Sequence, residues 1–213
     1  MPPALSGLSD TIFDLALSSR TSPNVRKKAL VCLARMLKKD PNRFEVKKMY
    51  GPLGDLFESK NSGTLSLLNG GASLLLSIMS LVNPDQLVEI QSKVVRVLHR
   101  LAITKECPSN YLYYHNANPW LQMKLYKALQ LWSPPEDKGT LSLVSEIVNK
   151  VIRKIDASEV LSKNNIEYGL LFEVINVIIH YDNQLDNKLI KNVTDILVMF
   201  IGSSRANFRY LGL

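Results

Sequence analysis

Val25-Arg26-Lys27-Lys28-Ala29-Leu30-Val31-Cys32-Leu33-Ala34-Arg35-Met36-Leu37-Lys38-Lys39-Asp40-Pro41 is the stretch on which the fold turns. The turn-forming Ser22-Pro23-Asn24 introduces it and Asp40-Pro41 stops it, so the spacing predicts one helix. Val25, Ala29, Cys32, Leu33 and Met36 are expected on its apolar face, with Cys32 a buried, reduced thiol. At about 100° per residue, Lys27, Lys28, Arg35, Lys38 and Lys39 share an arc of about 120° that opposes this stripe. One side is built to pack and the other to stay wet.

The unit then returns. Val25 to Leu30 finds a counterpart in Leu68-Asn69-Gly70-Gly71-Ala72-Ser73, and both Ala29 to Pro41 and Ala72 to Pro84 are separated by 12 positions. Further copies begin near Leu121 before Ser133-Pro134-Pro135, near Ile166 before Tyr181-Asp182-Asn183, and at Phe208-Arg209-Tyr210-Leu211-Gly212-Leu213, in steps of 43, 53, 45 and 42 residues. Partner helices are expected over Leu5 to Leu17, Phe44 to Phe57, Gln86 to Ile103, Leu141 to Ile155 and Lys188 to Ile201. A repeat of about 40–47 residues made of paired helices is the signature of HEAT and armadillo solenoids, so the chain reads as all-α. Residues 1–213 form one segment of about five helix pairs, the last truncated. The step of 53 implies an inserted surface loop at about 105–118, carrying Pro108, three tyrosines and His115. Because Phe208 to Leu213 matches only the opening turns of a helix, the sequence is expected to be cut from a longer protein.

Composition agrees with a folded chain: 213 residues, 46% hydrophobic, mean hydropathy +0.01. No apolar run approaches the roughly 20 residues of a membrane span, and Met1-Pro2-Pro3 does not open a secretion signal. Cys32 and Cys107 allow at most one disulfide, which fits a reducing cytoplasm. The net charge of +7 is local. Arg20 to Lys48 holds ten basic and two acidic residues, a balance of +8, while the rest carries 16 basic against 17 acidic groups. The patch reads either as plain solvation or as attraction to an anionic partner. Lys27, Lys28, Arg35, Lys38, Lys39, Lys47 and Lys48 are the candidate anionic-partner or lipid face.

No pattern in the sequence asks for catalysis, a cofactor or a metal. Gly70-Gly71 lacks the lysine and strand of a phosphate loop and reads as a place of close helix packing. His99, His115 and His180 are far apart, without metal-ligand spacing to Cys, Asp or Glu. Glu136-Asp137 reads as a helix N-terminus. Tyr111, Tyr113, Tyr114 and Trp120 are expected to cover the ends of two helix pairs, with a partner-binding surface as the alternative.

Tyr113-Tyr114-His115-Asn116-Ala117-Asn118-Pro119-Trp120-Leu121, then Lys124-Leu125 through Pro134-Pro135-Glu136-Asp137, resembles the trunk of the α-adaptins, large subunits of the plasma-membrane clathrin adaptor. Leu171-Phe172-Glu173 with Ile178-Ile179-His180-Tyr181-Asp182, and Asn207-Phe208-Arg209-Tyr210-Leu211, resemble later stretches in the same order. The Pro-Pro-Glu-Asp turn favours the α over the γ type. The resemblance implies a right-handed α-solenoid that acts as non-enzymatic scaffold in endocytic coats, at cytoplasmic coated pits of the plasma membrane. Its implied partners are sigma, beta and mu subunits, with a phosphoinositide membrane surface met through the full-length chain. A basic pair of that family falls at about Glu159 and Val160 here, a departure for which Lys150, Arg153, Lys154 and Lys163 are the nearby substitutes. The rival reading is a HEAT-type transport receptor or nucleic-acid-associated module using the 20–48 patch, since fold alone does not fix function.

Overall fold

The computed structural model describes residues 4–58, 65–153, 165–181 and 184–213. Among them are ten α-helices: α1 (Ala4–Leu17), α2 (Pro23–Lys39), α3 (Tyr50–Glu58), α4 (Leu65–Met79), α5 (Val88–His99), α6 (Pro119–Leu129), α7 (Lys138–Arg153), α8 (Asn165–Tyr181), α9 (Asn187–Ile201) and α10 (Ala206–Gly212). Glu159 and Val160, where the sequence departs from the family's basic pair, and the nearby Lys154 and Lys163 lie outside the described residues, as do Ile155, Asp182 and Asn183.

Alternate helices form two layers. α3, α5, α7 and α9 pack in succession on one side, and α2, α4, α6 and α8 on the other. Each helix of the first layer also meets the one that follows it in sequence, α1 against α2 and so on to α9 against α10. The apolar seam between layers includes Leu33, Leu53, Leu68, Leu75, Val94, Leu98, Leu125, Val148 and Val174. Close packing at this seam holds the stack.

Gly70-Gly71 lies where the sequence reading put close packing. A Cβ on Gly70 would stand 3.0 Å from Leu30 Cβ, and one on Gly71 would stand 2.6 Å from Leu56 Cδ2. The two glycines let α4 approach α2 on one side and α3 on the other. Asp137 caps α7 as expected: its Oδ2 accepts from the Thr140 N–H and hydroxyl, both at 2.7 Å. Those bonds, with one from the Gly139 N–H, hold the Asp137 carboxyl below its ordinary range.

Four expectations need correction. The apolar stripe of α2 is Ala29, Leu30, Leu33, Ala34 and Leu37. Val25 and Cys32 are exposed and Met36 is half-buried. The seam is rotated because Gly70 and α1 draw Leu30 and its neighbours inward, which period alone cannot reveal. The helix expected over Phe44 to Phe57 is broken into two 3-10 turns, Pro41–Arg43 and Val46–Met49, before α3 begins at Tyr50. The one expected over Gln86 to Ile103 starts as a 3-10 turn, Pro84–Leu87, and ends in a π turn, Arg100–Thr104. Finally, the inserted loop contains a small antiparallel hairpin, β1 (Leu112–Tyr113) with β2 (Asn116–Ala117), pairing Leu112 with Ala117 and Tyr113 with Asn116.

Polar ties cross from repeat to repeat. Trp132 Nε1 donates to the Pro84 carbonyl at 2.9 Å, Gln91 Nε2 to the Ser133 carbonyl at 2.8 Å, and His180 Nε2 to the Trp132 carbonyl at 2.9 Å. Lys124 Nζ donates to the Asn69 carbonyl and the Ser73 hydroxyl, at 3.1 and 2.9 Å. Burial lowers the pKa of that ammonium. Each bond satisfies a polar group that stacking would otherwise strand.

Candidate anionic-partner interface

The outer face of α2 carries no carboxylate, because the helix contains no Asp or Glu. Lys27, Lys28, Arg35, Lys38 and Lys39 are all exposed on it. Among the described residues none of the five is in an ion pair, so their charge is answered by solvent. Cations at the last turn, Lys38 and Lys39, also sit well against the carbonyl end of the helix. Between them Val31, half exposed, and Cys32 break the charged surface with an apolar strip.

Arg26 behaves differently. Its Nε donates to the Ala16 carbonyl at 3.1 Å, and partial burial lowers its pKa despite the attraction of Asp55. It fastens α2 to the end of α1 and leaves the wet face to the other five.

Lys47 and Lys48 are not on the helix. They lie on the 3-10 turn Val46–Met49, where both are exposed, and Lys48 Nζ meets Glu45 Oε2 at 2.9 Å. An exposed pair of this kind contributes little to stability, yet it offsets one charge of the patch. The structure therefore brings five of the seven candidates onto one helix face and sets the other two on the adjoining turn.

The aromatic group stands elsewhere. Tyr113 packs edge-to-face on Tyr114 and Trp120, with ring centroids 4.7 and 5.1 Å apart. Tyr113, Tyr114 and Trp120 are exposed, so they do not cover helix ends as expected. The fully buried aromatic side chains of this region are instead Tyr126 and Trp132, which sequence reading did not single out. His99 meets Glu146 at 2.9 Å across α5 and α7, and the three histidines are not brought together. Both cysteines are free thiols.

Residues 6–213 match the family profile described as the adaptin N terminal region. The chain is 31% identical over 206 residues to an AP-2 complex subunit alpha-1 of Arabidopsis thaliana and 34% over 209 residues to an AP-2 complex subunit alpha-2 of Dictyostelium discoideum. Each alignment covers 97% of this chain and 20% of the relative. An AP-4 complex subunit epsilon of Arabidopsis thaliana is 27% identical over 192 residues, covering 89% of this chain and 19% of the relative. The chain thus spans about a fifth of the length of these relatives. No helix among the described residues is long and apolar enough to cross a membrane.

Proposed function

The chain belongs to the adaptin N terminal family, and from that premise we propose that it is a non-enzymatic scaffold segment of a clathrin adaptor large subunit of the α type. In this reading residues 1–213 are one stretch of solenoid. Its stacked layers hold other adaptor subunits of the sigma, beta and mu types, and its basic face meets an anionic surface during coat assembly and cargo selection. The place of action is the cytoplasmic side of plasma-membrane coated pits.

The observation that carries the reading is the α2 face: five exposed cations on one helix, without a carboxylate on that helix to answer them. Such a face attracts an anionic surface over a Debye length of about 8 Å at physiological salt and loses that pull as salt rises. The repeat-to-repeat ties support a rigid scaffold, since they fix the spacing at which partner subunits would be held.

Co-expression with a sigma-type small subunit tests it. A complex that survives size-exclusion chromatography is the expected result. Separate elution, combined with a salt-dependent shift of duplex DNA or RNA that disappears when Lys27, Lys28, Lys38 and Lys39 become Gln, would replace it with a nucleic-acid role.

A further inference from the structure

The inserted segment 105–118 creates a cleft that a plain repeat would lack. Its walls come from the π turn after α5, the inserted hairpin, Gln122 of α6, and residues of α7 and α8. Leu101, Ala117 and Leu171 form an apolar floor, all of them buried, and the space is about 670 Å³ counting its open mouth. Lys105, His115 and Lys150 stand among the lining residues, with Glu167 the one carboxylate among them.

The backbone around the cleft is held in unusual conformations. Lys105 (φ 55°), Tyr114 (φ 45°), His115 (φ 64°) and Asn118 (φ 42°) are the described non-glycine residues in the left-handed region, and all belong to this one segment. Such a conformation is strained for a residue with a side chain and persists only where its surroundings over-determine it. π turns likewise concentrate at functional sites. Here the constraints are visible. Lys150 Nζ donates to the Ile103 carbonyl at 2.7 Å, Gln122 Nε2 to the Ala117 carbonyl at 2.6 Å, and the Asn118 N–H to the Tyr111 carbonyl at 2.8 Å. These bonds fix the walls of the cleft and set two exposed hydrogen-bond donors, the Lys105 ammonium and the His115 ring, at its edge.

An apolar floor under a rim with excess positive charge selects for one kind of molecule. We propose that this cleft binds a small amphipathic anion, with an apolar ring or short chain against Leu101, Ala117 and Leu171 and one anionic group at the rim formed by Lys105, His115 and Lys150. The site is distant in sequence from the α2 face and does not depend on the scaffold reading.

8-Anilinonaphthalene-1-sulfonate is the probe, since it joins aromatic rings to a single sulfonate. Its fluorescence titration with the intact chain should saturate at one site. Lys105→Glu should weaken binding about tenfold or more, and Ala102→Phe, which grows into the cleft from a half-buried wall position, should abolish it. Lys138→Glu, the same charge change at the exposed start of α7, should leave the isotherm unchanged. Melting curves of each variant establish that it is folded. Non-saturating fluorescence, or equal isotherms for the wild type and both cleft variants, would overturn the proposal.

Discussion

Helices α2 and α4 occupy corresponding places in successive repeats, yet they meet opposite surroundings. α4 has no exposed residue: Leu65, Leu67, Leu68, Ala72, Leu74, Leu75, Ile78 and Met79 are buried on nearly every side, and only Ser66, Asn69, Ser73 and Leu76 reach half-burial. α2 buries one stripe and bares the rest as cations. Forty-three positions apart, Lys28 answers to Gly71 and Cys32 to Leu75. The first of each pair is wet and the second is sealed. A repeat slot thus dictates the inward stripe of its helix, while the outward side is set by what lies against it.

That contrast can be broken at its strongest point first. Leu129, 1% exposed in α6, belongs to the same enclosed layer. Leu129→Asp should cost about 4 kcal/mol or more by burying an unpaired charge, seen as a collapse of the urea midpoint; an unchanged midpoint would remove α6 from the core. Next, Gly71→Val should cost about 1–3 kcal/mol, because its side chain must displace the buried Leu56. Lys28→Val in the corresponding place should stay within about 0.5 kcal/mol. Equal losses in those two would erase the distinction between the helices.

Smaller effects sharpen it. Lys124→Met keeps the stem but leaves the Asn69 carbonyl and the Ser73 hydroxyl without their cationic donor, so stability should fall by about 1–2 kcal/mol in chemical denaturation. Asp137→Asn tests the α7 cap through pH. The native carboxyl titrates below its unfolded value, so its contribution is complete above about pH 4 and fades as pH falls through the lowered native value. The gap in melting temperature between wild type and Asp137→Asn should therefore narrow below about pH 4. A gap that stayed constant would mean the charge contributes nothing. Last, Lys38→Glu should leave folding nearly untouched while weakening association with phosphatidylserine-containing vesicles several-fold at low salt. Equal vesicle binding would show a face that is only solvated.

Sequence made the layered helices readable because each apolar stripe recurs with its turn: Ala29 to Pro41 repeats as Ala72 to Pro84. Gly70-Gly71 could be read too, since two glycines inside an apolar helix cost stability unless a neighbour needs the room. The azimuth of α2 could not, because Leu30 turns inward to meet a glycine 40 positions away. The five helix cations were legible as one face, and so was the break at Asp40-Pro41; that Lys47 and Lys48 sit on a 3-10 turn and not in a helix running from Phe44 was not, since such short turns carry little periodic signal. The cleft was hidden for a similar reason. Its floor and rim come from residues some 70 positions apart, Leu101 to Leu171, and a hairpin only two residues per strand unites them.

Trp132 binds three successive repeats through one residue, its indole reaching back to Pro84 and its carbonyl receiving His180 from ahead. Flexing the rod at this point would strain both bonds at once, in opposite directions along the axis. A change of curvature in the stack must therefore lengthen one of these two bonds or be taken up on either side of that residue.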